Sequence, residues 1–132
     1  MGPIRLLLAD DNADFRATVL WFLQSQPGLA VVGQAADGQA AVAQTRQLQP
    51  DVVLMDVAMP VLNGLEATRL IGREAPRIRV IMLLSTPSEE YRAAAQAYGA
   101  VGSIAKERLD EELVPAIAAA SASSIRLPEH AW

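Results

Sequence analysis

The chain has 132 residues, 52% of them hydrophobic, and a formal charge of −4 from 11 basic and 15 acidic side chains. It has no cysteine, which excludes a thiol nucleophile, a disulfide framework and a thiolate zinc site, and its one histidine, His130, lies two residues from the C-terminus, out of place for a Ser/His/Asp triad. The acidic balance argues against direct nucleic-acid binding by this segment, and carboxylates are left to carry any chemistry.

Short apolar runs alternate with amphipathic stretches along most of the chain. Ile4 to Ala9 is almost wholly apolar, as a strand buried on both faces is. Phe15, Val19, Phe22 and Leu23 recur at helical spacing up to the stop at Pro27-Gly28, and Trp21 falls off that face, which predicts partial exposure. Leu29 to Ala35 reads as a second strand, followed by a helix from Gly38 through Ala41 and Val42 that ends before Pro50. Val52 to Met55 is a third strand, ended by Asp56, Met59-Pro60 and Asn63-Gly64. A helix over about Leu65 to Arg73 follows, then a strand over Val80 to Leu84, a helix over Glu89 to Tyr98 stopped by Gly99, and a short strand over Val101 to Ala105. Leu109, Leu113, Val114 and Ile117 mark a last helix. Alanine and serine alternate from Ala118 to Ser124, so residues 1–121 are expected to form one domain and 122–132 a linker or tail. The eight residues after Ser124 are too few for a DNA-binding domain. No apolar run approaches the ~20 residues that span a bilayer and the N-terminus lacks a signal peptide, which predicts a soluble, cytoplasmic protein with no membrane contact.

Five strand-helix units with short loops predict an α/β fold, a doubly wound parallel sheet with helices on both faces, because each parallel crossover needs a helix to return. Such folds bind ligands at the carboxyl ends of their strands. Those ends carry Asp10 and Asp11, then Asp56, then Ser85 and Thr86, and finally Lys106. Each has an ordinary alternative: an Asp or Asn12 can cap the first helix, Ser85 or Thr86 the fourth, and a lone lysine is usually solvated. Together they imply more. Three carboxylates brought within ~4 to 5 Å repel by roughly 3 to 4 kcal/mol per pair at an effective dielectric near 20, so a cation is required. Oxygen-only ligands select a hard divalent ion, and Mg²⁺ suits so sparse a site because it keeps waters and completes its shell with a phosphate. Lys106 is the only lysine, and a flexible point charge suits contact with both a carboxylate and a phosphoryl group.

The segments Leu8 to Asn12, Pro50 to Pro60 with Asn63-Gly64, and Gly99 to Lys106 resemble the receiver domain of two-component response regulators, over about Ile4 to Ala120. The Gly-Ala-x-Gly lead into Lys106 and the Glu89-Glu90-Tyr91 helix start are most similar to receivers that precede a LuxR/NarL-type helix-turn-helix domain. The resemblance implies a flavodoxin-like fold with strand order 2-1-3-4-5 and five helices. It implies Asp56 as the acceptor of a phosphoryl group from a sensor histidine kinase, without enzyme turnover beyond slow self-dephosphorylation. Asp11 and Asp56 would hold Mg²⁺ directly, Asp10 through water or as a second ligand, and the Ala58 backbone carbonyl would complete the protein shell. Ser85 would supply the switch hydroxyl and Lys106 the cation on the phosphoryl group, the modified face controlling transcription through an output domain absent from this chain, with homodimer formation on phosphorylation.

The chain departs from the family at Ser103, where an aromatic residue usually couples the switch to the surface, and at Glu107, where proline often follows the lysine. Ala58 and Pro87 stand at positions that tune hydrolysis, and neither side chain can hold an attacking water, which predicts a long-lived phosphoryl state. Trp21 has two readings: incidental exposure, the commoner fate of a lone aromatic on a helix surface, and a kinase-docking surface on the first helix, which kinases of this system are expected to contact. Other readings fit less well. Gln39-Ala40 stand where a P-loop needs Lys-Ser/Thr, Ala58 stands where a haloacid-dehalogenase-type phosphatase needs a second Asp, and two carboxylates occupy the place of an FMN phosphate loop. A degenerate receiver serving as a dimerisation scaffold would not need Asp10, Asp11, Asp56, Ser85 and Lys106 together.

Overall fold

The computed structural model describes residues 2–126, with side chains described to Ala122. Its elements are β1 (Ile4–Ala9), α1 (Ala13–Gln24), β2 (Leu29–Ala35), α2 (Gly38–Leu48), β3 (Val52–Asp56), α3 (Gly64–Glu74), β4 (Arg79–Leu84), α4 (Glu89–Ala97), β5 (Gly102–Ala105), a 3-10 turn (Lys106–Arg108) and α5 (Leu109–Arg126). All strand pairings are parallel, in the order β2-β1-β3-β4-β5. This is the doubly wound parallel sheet that the alternating pattern predicts, in the flavodoxin-like strand order that the family resemblance implies.

Four helices start on a side-chain cap. Asn12, Asp37, Asn63 and Ser88 accept the N–H groups of Phe15, Ala40, Glu66 and Tyr91 at 3.0, 2.7, 3.0 and 3.1 Å, each satisfying a donor the helix cannot, for about 1 kcal/mol. Asn12 therefore caps α1 and Ser88 caps α4, which leaves Asp10, Asp11, Ser85 and Thr86 free of that duty. Helix α4 ends one residue sooner than expected, at Ala97, with Tyr98 as its cap, and β5 starts at Gly102, one residue after the exposed Val101. Strand β4 starts one residue earlier, at Arg79, which pairs with Val52. Helix α5 continues to Arg126 despite an exposed Pro115, so the domain end expected at residue 121 falls inside it, while 127–132, including His130, lie outside the described residues.

The period of two along each strand sorts the core into two halves. Leu7, Ala9, Val53, Met55, Val80, Met82 and Leu84 face α2, α3 and α4 through Ala41, Val42, Ala67, Ile71 and Ala95. Leu6, Leu8, Val52, Leu54, Ile81, Leu83 and Ile104 face α1 and α5 through Val19, Leu23, Leu113 and Ile117. Each large apolar side chain so buried contributes roughly 1.5 to 3 kcal/mol. Two glycines are required by close approach: a Cβ on Gly64 would lie 1.8 Å from the Asp56 carbonyl oxygen, and one on Gly38 would lie 1.8 Å from that of Leu62. The β3–α3 loop is thereby clamped at both ends. Among the described residues no helix is long and apolar enough to cross a membrane.

Candidate functional site

The parallel register brings the carboxyl ends of β1, β3, β4 and β5 to one edge: Ala9 is level with Met55, Asp56 with Leu83, and Leu84 with Ala105. The residues that follow must converge there. Asp10, Asp11 and Asp56 each offer an oxygen within 4.8 Å of the others. Asp10 is fully buried, Asp56 nearly so, and Asp11 exposed. Asp10 Oδ1 accepts the Asn12 N–H at 2.9 Å, and the Asp10 carbonyl accepts from Arg16 Nη1 at 2.6 Å.

Lys106 opens the 3-10 turn after β5 and reaches back across the sheet edge. Its Nζ lies 2.7 Å from Asp10 Oδ2 and 3.3 Å from Asp56 Oδ1, and 4.5 Å from the centroid of the Phe15 ring. The turn is braced from α5, where Glu112 Oε1 accepts the Ala105 N–H at 3.0 Å and Glu112 Oε2 pairs with Arg108 Nε at 2.9 Å. Burial, which opposes the ammonium charge, is outweighed by Asp10 and Asp56, and together they hold Lys106 above the usual lysine range. Asp56 is pushed up to about 6, first by burial and then by the Asp10 charge, against the opposing pull of Lys106.

One ammonium against three carboxylates leaves the edge short of positive charge, since Arg16 is engaged by the Asp10 carbonyl and by Gln34 Oε1 at 3.1 Å. The ammonium apart, no hydrogen-bond donor reaches the buried Asp10 Oδ2. An oxygen-only donor set of this charge, with a buried oxygen lacking a further donor, fits a hard divalent cation. Beside it Asp56 lines an open cleft of about 140 Å³ with Ala58, Ser85, Thr86 and Tyr91. Ser85 is exposed and has no hydrogen-bond partner among the described residues, so its hydroxyl is unengaged. Ser103 is half-buried on β5, between a groove beside Arg92 and Gln96 of α4 and another beside Ala116 and Ala120 of α5. Trp21 is 72% exposed on α1 and takes no part in the acidic cluster. Three residues escaped the sequence reading. Phe15 counted only toward the apolar face of α1, Glu112 carried no motif, and Tyr91 served only as a family mark.

Residues 6–118 match the family model of the response regulator receiver domain. The transcriptional regulatory protein YxjL of Bacillus subtilis (strain 168) is 39% identical over 118 residues, 89% of this chain and 54% of that protein. The response regulator domain of Thermotoga maritima CheB superimposes with a TM-score of 0.84 at 37% identity, covering 91% of this chain and 97% of that one. A LuxR family two-component response regulator from Aurantimonas sp. SI85-9A1 gives a TM-score of 0.87 at 33% identity, covering 92% and 87%. The chain spans about half the length, or less, of the curated relatives it matches.

Proposed function

The chain belongs to the response regulator receiver domain family, and from that premise we propose that Asp56 is the phosphoacceptor of a two-component signalling step. The observation that carries this reading is the Lys106 ammonium bridging the buried Asp10 and Asp56 carboxylates at 2.7 and 3.3 Å, beside an open cleft. An Asp56 oxygen attacks the phosphorus of a kinase phosphohistidine, an O–P bond forms as the N–P bond breaks, and the electron pair leaves on the kinase imidazole. Asp10, Asp11, Asp56 and the Ala58 carbonyl would hold Mg²⁺, which supplies charge neutralisation to the phosphoryl oxygens. Lys106 exchanges its Asp56 contact for a phosphoryl oxygen, and Ser85, with its hydroxyl free, turns inward to donate to another. The β4–α4 loop follows that hydroxyl, and the shifted face favours a homodimer and a change in transcriptional output. Localisation in the cytoplasm, where the kinase donor and Mg²⁺ are found, suits this role.

Intact mass after incubation with a small acyl-phosphate donor and Mg²⁺ tests the proposal. Wild type should gain one phosphoryl group and Asp56→Asn none; no gain in wild type overturns it. With Ala58 lining the cleft and Pro87 following Thr86 in sequence, neither side chain able to hold an attacking water, the group should persist for minutes or longer without a phosphatase, and loss within seconds contradicts that expectation. Trp21 on α1 is the proposed kinase contact: Trp21→Ala should slow transfer from a kinase and leave transfer from the small donor unchanged.

A further inference from the structure

We infer that Phe15 is a positioning residue for Lys106, its ring face holding the ammonium against the Asp10–Asp56 pair. The inference rests on the receiver reading and deepens it. An ammonium is an isotropic charge on a stem with four rotatable bonds, and two carboxylates alone leave its direction of approach open. A ring supplies that direction, because an aromatic face attracts a cation within about 6 Å of its centroid. Here the separation is 4.5 Å, and the lysine side chain is only 16% exposed, so water competes little for the charge. The Phe15 backbone is tied to the acidic pair. Phe15 donates its N–H to the α1 cap Asn12, whose own N–H binds Asp10 Oδ1, and its side chain packs against the β-sheet core shared with α5.

The ring matters when Asp56 changes. On accepting a phosphoryl group, Asp56 no longer offers the same oxygen to Lys106, and a lysine held by Asp10 alone would be free to swing about that single contact. The Phe15 contact involves neither carboxylate and so survives the change. A contact of this strength corresponds to about a three- to tenfold effect on any equilibrium that depends on it.

Wild type, Phe15→Leu and Phe15→Tyr, each labelled with ¹³C-lysine, test the inference, since the only lysine in the chain gives one set of side-chain signals. In the metal-free protein the Lys106 ε-methylene signal should be displaced upfield by the ring in wild type and Phe15→Tyr and return toward the free-lysine position in Phe15→Leu. In Mg²⁺, the affinity for beryllofluoride, a phosphoryl mimic, should fall three- to tenfold in Phe15→Leu and recover in Phe15→Tyr, while Mg²⁺ affinity without the mimic stays within twofold. An unmoved lysine signal or an unchanged mimic affinity in Phe15→Leu overturns the inference, as does a parallel loss of Mg²⁺ affinity, which marks general disruption of the site. A wild type that binds no mimic, yet shows the displaced lysine signal, overturns the receiver reading on which the inference rests.

Discussion

The two ends of the same sheet treat charge in opposite ways. At the amino end, Asp51 Oδ2 accepts the Arg5 N–H at 2.8 Å, Arg5 Nη1 donates to the Gln49 carbonyl at 2.7 Å, and Arg77 donates to the Gln49 side chain. Asp51 also ties three elements through its backbone, donating to Arg5 and accepting from Arg79. Its carboxylate is exposed and its partners are donors, so nothing there opposes folding. At the carboxyl end, three acids crowd one ammonium, two of them buried. One end holds strands in register, and the other concentrates like charge in a cluster that a cation would relieve.

That contrast predicts mutations of opposite sign. The largest effect belongs to Asp56. Its carboxyl is pushed from 3.8 to about 6, so the folded state binds more protons than the unfolded chain between those values, and stability falls as pH rises through that window. The difference converts to about 3 kcal/mol above pH 6. Asp56→Asn should therefore stabilise the metal-free protein by about 3 kcal/mol at pH 7 and lose the advantage below pH 4, measured by urea unfolding across pH. An equal or lower stability at pH 7 breaks the comparison.

Magnesium should sharpen it. A cation bound only by the folded state adds about 1.4 kcal/mol for each tenfold rise in concentration above its dissociation constant. Wild type should gain stability along that slope, and Asp56→Asn, lacking one ligand charge, should gain less. The opposite end gives the opposite sign: Asp51→Ala should cost about 1 kcal/mol, with or without Mg²⁺, for loss of the Arg5 contact. The smallest effect lies in the loop after β3, where the exposed Val61 holds φ at 72°, a left-handed conformation costly for a β-branched residue. Val61→Gly should stabilise by about 0.5 to 1 kcal/mol, the relieved strain exceeding the added freedom of the unfolded chain.

The strands were legible because buried parallel strands read as unbroken apolar runs, Leu6 to Ala9 and Val80 to Leu84 among them, whereas their order in the sheet came from the family resemblance. The acidic cluster was legible for the same reason, since whatever follows such a run must emerge at the sheet edge. Contacts that depend on rotation about an element were not. Phe15 sits at a spacing that announces a core helix face, and only the 3-10 turn after β5, itself absent from any apolar pattern, aims Lys106 onto its ring. The brace from Glu112 depends on where α5 restarts after that turn, and an acidic first turn looks the same whether or not one carboxylate caps a strand. The end of α5 was not legible, because alternating alanine and serine carries no apolar period, although alanine favours helix.

Gly64 has a mechanical consequence. With the Asp56 carbonyl oxygen filling the space a Cβ would need, and the Gly64 N–H bound to Val57 at 2.7 Å, the backbone on the β3 side of the cleft cannot recoil. Across the gap, Ser85 and Thr86 are exposed, and neither side chain is hydrogen-bonded among the described residues. Load applied at Asp56 should therefore meet one stiff wall and one that can yield. Displacement should be delivered to the β4–α4 side, so that the single missing methyl of Gly64 would give the domain a direction of travel.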